Sequence, residues 1–188
     1  MRSKFLSVVL ITMFVSAVAN ADTYKVDPVH SSIVFKSKHI NTSYVFGRFN
    51  DFGGTVNVDS DPSKMSFDIS AKVESIDTGN PKRDTHLKSP DFFSAKEFPT
   101  IAFKSTSVKS AGDNKYEVTG DMTLHGVTKP VTVTIEKVGQ SNNPQFGDRV
   151  GFISTFKVKR GDFGMSGMTN MVGDEVELAA AFETTKPK

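Results

Sequence analysis

Apolar and polar residues alternate with a period of two through most of this chain. That pattern suits antiparallel strands with one dry face and one wet face, and little else. From Met65 to Val73, the residues Met65, Phe67, Ile69, Ala71 and Val73 fall on one side, and Ser66, Asp68, Ser70 and Lys72 on the other. Tyr116, Val118, Gly120, Met122 and Leu124 alternate with charged and threonine side chains, and Val150, Phe152, Ser154, Phe156 and Val158 form another such face. Near the end, Val176, Leu178, Ala180 and Phe182 do the same. Further strands are expected near residues 23–26, 31–38, 44–49, 54–59, 100–109 and 131–138. Turn chemistry separates them at Asp27-Pro28, Asp61-Pro62, Gly112-Asp113-Asn114, His125-Gly126 and Asn142-Asn143-Pro144. So many evenly spaced strands make an all-β barrel or sandwich, and barrel closure removes exposed edges.

One segment departs from the alternation. Asn80 is a good N-cap, Pro81 suits the first helical position, and Ser89-Pro90 stops the run. One short helix is expected near residues 81–88, and a barrel mouth is one place for it to lie. The glycines Gly47, Gly53, Gly54 and Gly120 fall in or beside strands, where they mark bulges or close approaches.

Residues 1–21 read as a cleaved secretory signal. Arg2 and Lys4 precede an apolar run from Phe5 to Val18, and Ala19-Asn20-Ala21 is a small-x-small cleavage site. The run is short for a membrane span, and the mature protein is expected to be soluble and exported. Cleavage leaves 167 of the 188 residues, enough for one domain, residues 22–188. Removing Arg2 and Lys4 from the 23 Lys and Arg leaves 21, against 21 Asp and Glu. A neutral mature chain has no electrostatic case for nucleic acid. The absence of cysteine excludes disulfides, thiolate catalysis and thiolate metal sites. Of 16 Phe, only Phe5 and Phe14 lie in the signal, so the mature chain is rich in a wholly apolar aromatic.

Catalytic and metal chemistry find little support. His30, His39, His86 and His125 show no zinc-ligand spacing, and capping turns or bonding carbonyls is their expected use. Arg83-Asp84-x-His86 could pair an acid with a base, yet residues two apart on a helix diverge. A structural tie between helix and strand is the expected role of that pair. No Gly-x-Ser-x-Gly elbow or phosphate-loop spacing occurs. No catalytic residue, metal or cofactor is assigned. Arg48, Lys82, Arg83, Lys88 and Arg160 could meet a polar headgroup, and Arg83 and Arg160 stand out because they adjoin irregular backbone.

Met165, Met168 and Met171 crowd into seven residues that keep neither a helical nor a strand period. Methionine is unbranched and polarizable and adapts to a floppy apolar partner, although it fills ordinary core gaps equally well. Likewise Phe35, Phe49, Phe67, Phe103, Phe152 and Phe156, with Ile69, could line a cavity or pack a solid core.

Ordered landmarks add to this. They run Val26-Asp27-Pro28-Val29-His30-Ser31, Gly47-Arg48-Phe49-Asn50-Asp51-Phe52-Gly53-Gly54, Arg83-Asp84-Thr85-His86-Leu87-Lys88, Phe98-Pro99-Thr100-Ile101-Ala102-Phe103, Gly120-Asp121-Met122-Thr123-Leu124-His125-Gly126 and Arg160-Gly161-Asp162-Phe163-Gly164-Met165. In combination they resemble the YceI-like family of lipocalin-like, polyisoprenoid-binding periplasmic proteins, across essentially the whole mature chain. The resemblance implies an eight-stranded antiparallel barrel with an elongated apolar channel. It also implies an isoprenoid or other amphiphilic lipid as ligand, such as a quinone or a polyprenyl compound. On that basis Phe35, Phe49, Phe67, Ile69, Phe103, Phe152, Phe156, Met165, Met168 and Met171 are expected to line the channel. His39, Arg83, His86 and Arg160 are the candidates for the headgroup. A monomer or homodimer with no integral membrane segment is expected.

Burial from water contributes about 0.8 kcal/mol per CH₂, so eight isoprene units would nominally exceed the practical ceiling of roughly 20 kcal/mol. Water is therefore the wrong reference state. A lipid tail starts dry in a membrane, and a carrier needs only to match that environment and add headgroup contacts. The expectation is a non-enzymatic lipid binder in which Phe67→Asp or Phe152→Asp abolishes retention while the fold persists. The alternatives are an enzyme acting on a lipidic substrate, with His86 or His39 as base, and a filled barrel that acts through protein partners.

Overall fold

The computed structural model describes residues 21–187. The expected signal segment lies outside them, apart from Ala21. Eleven strands form one antiparallel sheet that closes on itself. They are β1 (Asp22–Val26), β2 (Ser32–His39), β3 (Ser43–Phe49), β4 (Phe52–Val58), β5 (Ser66–Lys72), β6 (Ile76–Asp77), β7 (Thr100–Ser110), β8 (Lys115–Leu124), β9 (Val127–Asn143), β10 (Gly147–Lys159) and β11 (Val172–Thr185).

The first six segments behave as three interrupted strands. β1 and β2 lie end to end along β11, pairing Lys25 with Thr185 and Ala180 with Ile33. β3 and β4 continue one another against β2 and β1. β5 and β6 do so against β4 and β3. With β7 to β11 this makes an eight-stranded up-and-down barrel, each strand pairing with its neighbour in sequence and the last with the first. The expected fold class is what the structure shows.

The alternating faces carry over. Phe67, Ile69 and Ala71 of β5 point into the barrel, as do Val118, Gly120, Met122 and Leu124 of β8 and Val150, Phe152 and Val158 of β10. In β7 the inward set changes parity, from Phe103 to Val108, because the pairing slips between Ser105 and Ser107. That extra residue is a β-bulge, which restores an apolar side chain to the interior. The β8–β9 connection is a two-residue turn with φ of 52° at His125 and 74° at Gly126, the conformation that matches the twist of a tight hairpin.

Closure is complete at the β1 end, where Tyr24, Val26, Val56, Val118, Val150 and Phe152 pack into a solid core. At the other end the short β6 is the edge of the sheet and does not reach β7. Helix α1 (Pro81–Leu87) and the loop after it fill that gap. Asn80 caps α1 by accepting from the Arg83 N–H, as its sequence suggests. Phe92 and Ala95 of the loop are buried, and the loop is held by Val73 N–H donating to the Pro99 carbonyl at 2.9 Å. The expected cover over a barrel mouth is in place.

Candidate functional site

Between the solid core at the β1 end and a second apolar cluster of Met122, Leu124, Val158, Phe163 and Met165, the barrel is hollow. The empty space amounts to about 1420 Å³ with its opening to solvent counted in. Apart from Ser37, Ser70, Ser154 and Arg160, every lining residue is apolar. Ser154 donates to the Thr134 carbonyl at 2.7 Å, and Ser37 to the Gly173 carbonyl at 3.4 Å, so these hydroxyls spend their donors on the wall. Such a surface offers dispersion contact and exclusion of water without directional selection.

The lining follows from inward residues of many strands. Phe35 of β2 and Phe49 of β3 stack obliquely at 5.6 Å between ring centroids, and Phe67 meets Phe152 edge to face at 5.3 Å. Two glycines let aromatic rings lie flat on the wall: Gly47 beneath Phe35 and Gly120 beneath Phe103, where a Cβ would collide with the ring. Ile69, Phe103, Phe156 and Met165 complete the expected residues that border this space. Phe67 and Phe152 are each only 2% exposed and form its floor within the solid core. A carboxylate there would be buried without a partner, so the expectation that Phe67→Asp or Phe152→Asp keeps the fold does not hold.

Met168 and Met171 sit elsewhere, at the mouth. A second space of about 680 Å³, with open solvent included, is bordered by both methionines and by His39, Arg83 and His86. It shares Phe35, Ser37, Leu87, Phe92 and Val172 with the main cavity, so the two adjoin. Each residue expected for channel or headgroup therefore lies on the cavity or its mouth. Sequence reading missed Phe92, Phe93 and Phe182, which also border the cavity. The first two lie in the irregular loop after α1, where no periodicity could mark them. Phe182 was visible in the alternation of the last strand.

The polar groups at the mouth have defined partners. Asp84 accepts from the Thr78 backbone N–H at 2.9 Å and from its hydroxyl at 2.5 Å, while the Arg83 guanidinium donates to the Thr78 hydroxyl and carbonyl, both at 2.7 Å. The pair ties α1 to the end of β6, its expected structural use. His86 Nε2 bonds instead with the Asp91 carboxylate at 2.9 Å and packs edge-on against Phe92. Arg160 is 4% exposed. Its guanidinium donates to the carbonyls of Met165 at 2.7 Å, Gly173 at 3.1 Å and Val172 at 3.0 Å, and lies 5.8 Å from the Phe92 ring. Burial pushes its pKa below the ordinary guanidinium value, and Asp174 opposes that shift. Arg160 thus clamps the methionine-rich loop onto the barrel end, with each of its three nitrogens held by a carbonyl.

At the opposite end, Asp27, His30 and Glu183 bring potential metal ligands within 4.8 Å of one another, a meeting that sequence spacing could not reveal. The Arg149 guanidinium bonds both carboxylates, and His30 Nδ1 lies 2.8 Å from Asp27. The cluster is an ion-pair network that fastens the break between β1 and β2 to β10 and β11. His125, the remaining histidine, bonds the Phe163 carbonyl at 3.2 Å.

Among the described residues no helix is long and apolar enough to cross a membrane. Over 174 residues the chain is 39% identical to a UPF0312 protein of Pseudomonas aeruginosa, covering 91% of each. Its fold is similar to that of BcnA from Burkholderia cenocepacia, with a TM-score of 0.77 at 28% identity, covering 85% of this chain and 99% of that one. At 13% identity it also shares the fold of a polyisoprenoid-binding domain from Saccharophagus degradans, with a TM-score of 0.68 over 87% of this chain and 98% of that one. The model of the YceI-like domain matches residues 24–184, all but the extreme ends of the barrel, and the chain belongs to that family.

Proposed function

We propose that this protein is a periplasmic binding or carrier protein that holds a long-chain isoprenoid, a quinone or polyprenyl compound or a similar amphiphilic lipid, in its barrel. The observation that carries the reading is the cavity, walled almost wholly by apolar side chains and adjoining a mouth of mixed polarity. A tail inside would meet Phe35, Phe49, Ile69, Phe103, Phe156 and Met165, with Phe67 and Phe152 as the floor. A headgroup at the mouth would meet His39, Arg83 and His86, with Arg160 beneath, while Met168 and Met171 adapt to the first tail units. The likeness to a polyisoprenoid-binding domain supports the same class of ligand. Flexible methionine and flat aromatic walls suit a tail that arrives from a membrane, because they match its dry surroundings without demanding one conformation.

The test is purification of the natively exported protein, solvent extraction and mass spectrometry of what accompanies it. A stoichiometric isoprenoid lipid is the expected result. Protein that carries none, and takes up none from vesicles, refutes the proposal.

The His86–Asp91 pair favours one other reading, an enzyme that uses His86 as base on a lipidic substrate. Turnover of a polyprenyl phosphate that disappears in His86→Ala would establish it, and no turnover across such substrates would exclude that role.

A further inference from the structure

The rim of the mouth carries apolar side chains that neither the barrel core nor turn chemistry explains. Ile40 leads the turn between β2 and β3 with φ of 45°, a left-handed conformation strongly disfavoured for a β-branched residue. Asn41 follows at φ 56° and is at ease there, since asparagine tolerates that region. Ile40 is nevertheless 50% exposed, so its strained backbone is not offset by burial. Its N–H donates to the Met171 carbonyl at 2.7 Å, which fastens the hairpin turn to the methionine loop. Met168 and Met171 lie on that loop, each more than a third exposed. Below the turn, Tyr44 and Phe46 point outward from β3 and are exposed as well. Lys38 faces Tyr44 across the β2–β3 pair, and Lys82 lies on α1 at the same end. Neither lysine makes an ion pair among the described residues.

We propose that this rim docks on the surface of an anionic lipid bilayer, with Ile40, Tyr44 and the exposed methionines entering the headgroup region and Lys38 and Lys82 facing lipid phosphates. It rests on the carrier reading given above. Strain retained at an exposed apolar residue points to use, and a contiguous apolar rim around a mouth flanked by cations has the chemistry of a membrane-seeking surface. Tyrosine suits the boundary because its ring is apolar and its hydroxyl is not. The far end of the barrel also exposes large apolar residues, Val29 and Phe146. There, however, the solid core leaves nothing to deliver. Docked by the mouth, the cavity meets the bilayer interior, and a tail passes between them without crossing water.

The chain contains no tryptophan, so a single introduced one reports its own surroundings. In the full mature protein, Ile40→Trp should shift to shorter emission wavelength with vesicles of phosphatidylglycerol and phosphatidylcholine and be quenched by brominated acyl chains. Phe146→Trp should do neither. Emission of Ile40→Trp that ignores the vesicles, or an equal response from Phe146→Trp, overturns the proposal. The Ile40→Asp/Tyr44→Asp double variant should lose about tenfold or more in vesicle partitioning, the loss expected for removing two buried apolar side chains. It should still carry its co-purified lipid. Unchanged partitioning of that variant also overturns the proposal. A wild-type protein that retains lipid but does not partition sinks docking alone and leaves the carrier reading intact.

Discussion

Ala180 faces the cavity from β11, between Ile33 of β2 and Ser154 of β10. Two of these three residues, Ala180 and Ser154, are small, so the wall is recessed at this level. In a solid barrel, Ala180→Phe would overpack and destabilise by about 1–3 kcal/mol. In the hollow barrel seen here the new ring enters empty apolar space, and its burial should stabilise the lipid-free protein by roughly 2 kcal/mol. For a domain of this size that raises the melting temperature by about 4–8 °C. The same ring occupies room otherwise available to the tail. Excluding as many ligand carbons as the ring contains forfeits at most about 5 kcal/mol at roughly 0.8 per carbon. Allowing for rearrangement of the tail, a loss of about a hundredfold in affinity is a conservative expectation. Delipidated wild type and variant can be compared by scanning calorimetry, and by titration with a short-chain ubiquinone analogue. Opposite signs, with stability up and affinity down, are the signature of a cavity that receives ligand. A lower melting temperature with unchanged affinity would refute the reasoning.

Other consequences are equally accessible. Asp84→Asn weakens the charged acceptor that receives two donors from Thr78, and it should cost about 1–2 kcal/mol in urea unfolding and speed ligand release by loosening α1. Asp27 has its pKa lowered, chiefly by the hydrogen bond with His30; burial opposes that, and the Val29 N–H and Arg149 lower it further. A carboxyl whose folded pKa lies below its unfolded value of about 3.9 stabilises above that pH and ceases to do so as pH falls through the folded value. Asp27→Asn should therefore lower the urea midpoint near pH ~7 and converge on wild type as acid titrates the folded carboxyl, below its ordinary value of about 3.9. A constant difference across that range would show that Asp27 acts without its charge. Gly126→Ala places a side chain at φ 74° and against the Phe98 ring, and about 1–3 kcal/mol of lost stability is expected from thermal unfolding.

The period-two pattern revealed most strands and their inward faces because alternation encodes both together. The helix was legible too, since Asn80 and Pro81 are the residues a helix start requires. Interruption of the first three strands was not, because Asp27-Pro28 and Asn50-Asp51 look like ordinary turns whether the chain reverses or resumes its direction. Nor could sequence choose between a packed and a hollow interior: the same Phe67 that borders the cavity also completes the core. Arg160 was singled out for its irregular surroundings, but its carbonyl partners, Met165 in the loop and Val172 and Gly173 at the start of β11, are brought together only by the folded chain. The Asp27–Arg149–Glu183 network joins residues from both ends of the chain, and no local signal anticipates it.

The uneven filling of the barrel has an evolutionary consequence. The β1 end works as a keel: its dense packing carries the stability of the whole, so the chamber above need not be filled to stand. A wall position such as Ala180 is then free to vary in size at little cost to folding, which lets one scaffold be retuned among tails of different length and bulk.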